Sequence, residues 1–185
     1  TDGKGRAHDA IHPIQIQQLS RAGGPSEISS IAVQNGRVFA ATGIGILQWA
    51  EGSPTQVKFL RLGDNKSVNL TDLTPYRGSL WSAHLNHGVA QWTGDSFQWR
   101  DFGNGLSFDD STALVVFRDQ LAVGSLRGPG LDLFDGRQWT KVAMNLPNQF
   151  DCDVIDMAVG TNGIWILMRQ AVAFFDGSTF QAWSA

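Results

Sequence analysis

His84-Leu85-Asn86-His87 is the one His-x-x-His in the chain, and paired imidazoles are the first place to look for metal or acid–base chemistry. On a continuing strand, residues three apart point to opposite faces. Both rings could therefore hold one ion only if the chain turned immediately after His84. A structural metal would also need further ligands, and Cys152 is the sole cysteine. The alternative is structural: His84 takes the strand-end position held elsewhere by Thr42, Ser125 and Met168, and His87 sits in the turn before Gly88. The other candidates for catalysis are weaker. Asp109 and Asp110 are adjacent, so they cannot flank a substrate as an acid–base pair on one strand. No G-x-S-x-G elbow and no D-x-D-x-D-G calcium loop is present. Cys152 lies between Asp151 and Asp153, whose charge opposes thiolate formation. The expectation is no catalytic residue, no metal and no cofactor.

Binding chemistry is better represented. The segments 62–72, 102–110 and 145–153 are acidic, carrying Asp64, Asp72, Asp109, Asp110, Asp151 and Asp153. Nearby turns add His84, Asn86, His87, Arg127 and Arg169. Aspartates at such places either cap turns through their side-chain oxygens or form a rim for a cation or polar ligand. The set expected to bind a ligand is Asp109, Asp110, Arg127, His84, His87 and Asp153.

The elements that must position these residues repeat. Aromatic strand ends fall at Trp49, Trp92, Phe134 and Phe175, in steps of 43, 42 and 41 residues. Each unit joins two apolar runs through a polar or glycine-bearing turn, at Asn35-Gly36, Arg77-Gly78, Arg118-Asp119 and Asn162-Gly163, which is a hairpin signal. The second runs, 38–42, 80–84, 121–125 and 164–168, are apolar on both faces or nearly so. Strands squeezed between neighbouring sheets have that pattern. A period near 42 with four short strands per unit predicts a β-propeller. Four four-stranded blades are expected at about 28–62, 70–103, 112–144 and 154–185. Trp81 and Trp165 occupy equivalent second-strand positions and are expected to be buried between blades.

Composition agrees. The 185 residues include 21 glycines and 7 tryptophans, with only 17% charged residues, which suits tight turns and aromatic strand ends and gives no support for long surface helices. The net charge is −3 and no basic stripe exists, so nucleic acid is not an expected partner. No apolar run reaches the length of a membrane span.

Gly78-Ser79-Leu80-Trp81-Ser82-Ala83-His84, followed by Gly88-Val89-Ala90-Gln91-Trp92, resembles the two-component-regulator propeller repeat. Gly163-Ile164-Trp165 opens the fourth copy in the same way, and Phe175-Asp176-Gly177 closes it. The linker Asn104-Gly105-Leu106-Ser107-Phe108-Asp109-Asp110 resembles that family's inter-blade segment. Departures are Ala122 in place of the usual Trp, and His84 and Met168 in place of Thr. The resemblance implies a seven-bladed type of ring, periplasmic or extracellular in bacteria, that binds or senses rather than catalyses. Its partner would be a protein or a small polar ligand on the loop face. The alternative is a propeller lyase or hydrolase with a His and metal site, in which His84 and His87 would act.

One strand is left over. Residues 14–19, Ile-Gln-Ile-Gln-Gln-Leu, alternate apolar and polar after an N-terminal arm of 1–13. They look like a blade's outermost strand, yet blade four already owns 179–183. The domain is thus expected over 14–185, as a ring with an extra edge strand or as half of a larger ring completed by a second copy or a second propeller half.

Overall fold

A computed structural model describes residues 27–62, 69–128, 130–146 and 151–184. The unclaimed strand at 14–19 and the arm before it lie outside them. Among the described residues the chain forms sixteen strands and a single 3-10 turn, Phe102–Asn104. Blade one comprises β1 Ile28–Gln34, β2 Arg37–Thr42, β3 Gly45–Ala50 and β4 Ser53–Leu60. Blade two comprises β5 Leu70–Tyr76, β6 Ser79–His84, β7 Gly88–Trp92 and β8 Phe97–Arg100. Blade three comprises β9 Ser111–Phe117, β10 Gln120–Ser125, β11 Gly130–Phe134 and β12 Trp139–Ala143. Blade four comprises β13 Val154–Val159, β14 Ile164–Met168, β15 Ala171–Phe175 and β16 Phe180–Ser184. Each blade is a four-stranded antiparallel meander in chain order.

Local chemistry makes the hairpins. Asn35-Gly36, Arg77-Gly78 and Arg118-Asp119 all take positive φ at both residues, the mirror-image turn whose twist suits flanking strands. The fourth inner hairpin differs from expectation. Val159 pairs with Ile164, and Gly160 N donates to Gly163 O, so a four-residue loop replaces the two-residue turn. Asn162-Gly163 therefore lies at the loop's end.

The core sits in the three junctions between blades. Leu70, Leu73 and Leu80 of blade two pack with Ala32, Phe39, Ala41 and Ile46 of blade one. Tyr76, Trp81, Ala83 and Val89, on the opposite face of blade two, meet Leu114, Leu121 and Val123 of blade three. Ala113, Phe117 and Ala122 then meet Val154, Met157, Ile164 and Ile166 of blade four. A sheet apolar on both faces needs a neighbour on each side, and blades two and three have both.

The inner strands are also laced by polar bonds repeating at the blade period. Ser29 Oγ donates to Leu70 O (2.8 Å), Thr71 Oγ1 to Ser111 O (3.0 Å) and Thr112 Oγ1 to Val154 O (2.7 Å). Asp72 belongs to this lacing and not to a loop rim. Its carboxylate accepts from Ser30 Oγ (2.8 Å), from Leu73 N (2.7 Å) and from Leu114 N of the next blade (2.8 Å). Burial holds the Asp72 carboxyl above its ordinary pKa, against the opposing pull of those donors.

The two ends of the series are open. Trp81 is 1% exposed, but its counterpart Trp165 is 45% exposed, although Trp81 pairs with Thr74 and Trp165 with Ala158 in the same register. The expected register is right and the expected burial of Trp165 is not. No described blade follows blade four, so its outward face lacks the cover that blade three gives to blade two. For the same reason β14 alternates buried and exposed residues, while β6 and β10 are buried along nearly their whole length.

Candidate functional site

The segments between blades and the middle hairpin turns share one face. Gly88 N donates to Asp109 O (2.7 Å) and Leu126 N to Asp110 O (2.8 Å). The 102–110 segment therefore lies directly against the middle turns of the blades on either side of it. Asp110 Oδ1 accepts from Asn86 N (3.0 Å), and Asp153 Oδ1 accepts from Arg127 N. Asn86 and Arg127 both have positive φ, 65° and 56°. The acid at the start of one blade thus caps the left-handed turn of the blade before it.

Side-chain charges complete the rim. The Arg127 guanidinium is largely exposed and lies 3.7 Å from Asp110 Oδ2. Arg169 Nε donates to Asp153 Oδ2 (2.9 Å) and lies 3.9 Å from Asp151. Burial alone would raise the pKa of Asp153, but the Arg127 N–H and the Arg169 guanidinium outweigh it and hold the carboxyl below its ordinary value. Asp153 is therefore a buried, charged anchor, with Arg169 in the solvent above it.

Asp109 Oδ1 accepts from Phe102 N, which folds the 102–110 segment back on itself. Glycine makes that segment possible. Gly105 has φ 118°, and a Cβ there would lie 2.3 Å from Cδ1 of Trp139. The next residue, Leu106, is fully buried. Ser107 is then tied to blade three, its N and Oγ donating to Asp132 (2.8 and 2.7 Å). Asp132 is itself 2% exposed, and burial pushes its carboxyl pKa up. Between these anchors a groove of about 390 Å³ opens, lined by Asn86, Phe102, Phe108, Asp109 and Asp110. Phe102 is 65% exposed.

Of the six residues expected to bind, Asp109 and Asp110 line this groove, and Arg127 stands beside it, 3.7 Å from Asp110. Asp153 lies one blade further on, behind Arg127. His84 is fully buried, with Nε2 2.8 Å from Ser82 Oγ and its ring against Trp99 at 4.7 Å. His87 is half-buried, with Nδ1 3.1 Å from Leu85 O and its ring 6.0 Å from Trp99. The two imidazoles pack on one indole and turn their polar atoms to separate partners. Among the described residues, no group of three or more His, Cys, Asp or Glu could hold a metal ion. Cys152 is half-buried, and burial followed by the charges of Asp151 and Asp153 pushes its thiol pKa up. Sequence reasoning did not single out Phe102 and Phe108. Aromatics outside the strand pattern were the available signal, but only the loop's path shows that they face water.

Four four-stranded antiparallel meanders packed face to face through inner strands define a β-propeller. The arrangement is similar to that of a catalytically inactive virginiamycin B lyase from Staphylococcus aureus with quinupristin, at a TM-score of 0.69 and 13% identity over 85% of this chain and 55% of that one. It is also similar to the extracellular domain of a protein described as a hybrid two-component system of B. thetaiotaomicron, with TM-score 0.68 and 10% identity over 91% of this chain and 26% of that one. A computationally designed protein matches with TM-score 0.54 and 15% identity over 86% of this chain and 91% of that one. The chain thus spans about half the length of the lyase. At these identities the likeness is one of fold. No protein-family model and no curated protein matches the sequence.

Proposed function

We propose that this propeller is a non-catalytic binding or sensing module of the two-component-regulator type, taking a small polar ligand or partner segment on its loop face. The observation that carries the reading is the groove at Phe102, Phe108, Asp109 and Asp110, beside the exposed Arg127. Exposed aromatic rings next to carboxylates and a guanidinium suit a ligand with an apolar face and several hydrogen-bond donors, such as a saccharide. Asp153 and His87 support the rim from behind, and His84 supports it only through the Trp99 packing. The likeness to an extracellular domain of a two-component protein fits a periplasmic or extracellular setting. Among the described residues, no helix is long and apolar enough to cross a membrane.

The test is ligand-observed NMR against a panel of neutral and acidic di- and oligosaccharides, amino acids and polyamines. Wild-type protein is compared with Phe102→Ala and Arg127→Glu variants. Binding by the wild type that both variants weaken at least tenfold supports the reading. Unaltered affinity in both variants, or no ligand in the panel, would overturn the groove as the site.

A further inference from the structure

The open faces of blades one and four are not matched at random. Blade four turns Ile155, Trp165, Leu167, Val172 and Trp183 outward, each 41–49% exposed. Trp165 and Trp183 lie with ring centroids 6.0 Å apart, forming one apolar surface. This is the face that, in blade two, presents Trp81, Ala83 and Val89 to blade three. At the other end, Ile28 and Ile31 are 64% exposed, and their register counterparts Leu70 and Leu73 pack against blade one. One end of the molecule is therefore built like the leading side of a junction and the other like its trailing side.

The polar groups repeat the same logic. Asp156 occupies the position of Asp72, and its Oδ1 accepts from Met157 N (2.8 Å) as that of Asp72 accepts from Leu73 N. Asp72 also reaches Leu114 N across its junction, and the counterpart of Leu114 in blade one is Ile31. Asp153 caps the Arg127 turn of the blade before it. The residue at the position of Asp153 in blade one is Glu27, which is exposed, and the corresponding middle turn of blade four is the two-residue link Arg169-Gln170.

We propose that a second copy of this chain closes the ring. Blade one of each copy seats on blade four of the other, giving an eight-bladed ring with two identical head-to-tail junctions. Asp156 then meets the Ile31 backbone, and Glu27 lies beside the partner's Arg169-Gln170 turn. A second copy satisfies both end faces at once, with chemistry the chain already uses at its three internal junctions. Rings formed this way close only if the rotation per copy brings the last face to the first, and apolar obligate contacts of this kind resemble a domain core cut in half. The inference is independent of the loop-face reading.

The experiment is sedimentation and light scattering of the full chain at tens of micromolar, with Trp165→Glu and Ile31→Glu variants. Both positions are exposed within one copy, so folding is retained and can be checked by circular dichroism. The expected result is a particle of twice 20.1 kDa for the wild type and single chains for each variant. An equimolar mixture of the two variants should regain association, because one junction then pairs an unaltered blade four with an unaltered blade one. A wild-type monomer, or an assembly of another number of chains, would overturn the proposal. So would an Ile31→Glu variant that remains dimeric, since it would place blade four against blade four.

Discussion

Truncating Trp81 and Trp165 to Ala separates what the repeat dictates from what a neighbouring blade supplies. The two indoles sit in one register, so local strand preference cancels in the comparison. Trp81 is 1% exposed and lies among Phe134 at 5.3 Å, Trp139 at 6.3 Å and Tyr76 at 6.4 Å. Burying a large aromatic removes about 150–250 Å² from water, and at about 25 cal/mol per Å² this is about 4–6 kcal/mol. Ala keeps only part of that area and leaves a cavity, so the expected loss is about 3–5 kcal/mol. Trp165 has already left 45% of its surface in water. Solvent fills the space it vacates, so its truncation in the single chain should cost about 1–2 kcal/mol. Urea unfolding, followed by intrinsic fluorescence and circular dichroism at low protein concentration, reads both losses from the midpoint at constant slope. Equal losses at the two sites would refute the assignment of an uncovered face to blade four.

The other predictions concern single groups. Asp72→Ala strips the acceptor from Leu114 N and Ser30 Oγ inside a junction and should cost about 1–3 kcal/mol. Because the Asp72 pKa is raised in the fold by burial, its protonated form is favoured there. The stability it adds is full below the unfolded pKa and is lost as pH rises through the folded one, so Asp72→Asn should lose that dependence in pH-resolved melts. Asp176 has the opposite sign: the Thr179 and Ser178 N–H donors, then their hydroxyls, hold its carboxyl well below the usual carboxylate range. Its contribution is present above the ordinary carboxylate pKa and is lost as pH falls through the folded value. Asp176→Asn should therefore flatten the acid limb of the melting profile, and an unchanged limb would count against the turn geometry. Gly88→Ala should destabilise far more than Gly78→Ala. Both have positive φ, but a Cβ at Gly88 would lie 2.1 Å from Arg100 O, while nothing lies within 4 Å at Gly78. The second should cost about 1 kcal/mol, and equal midpoints for the two would refute the close approach.

The sequence by itself determined the blades. Turn pairs such as Arg77-Gly78, aromatic strand ends such as Trp92, and apolar runs such as 80–84 act within about 40 residues, so their spacing reports them directly. It also determined that the inter-blade segments and middle turns carry the polar residues. It could not decide which acids cap and which face a ligand. Asp153 and Asp110 are bound by turns of the preceding blade, and Asp72 by a strand of the next. These bonds join residues 24 to 42 positions apart, and no local pattern encodes their geometry. Tertiary structure likewise decided that Phe102 faces water while Leu106, four residues on, is buried. It also decided that Trp165, identical to Trp81 in type and register, is half in solvent. A side chain's burial belongs to the pair of faces that meet, and one blade's sequence specifies only its own half of that pair.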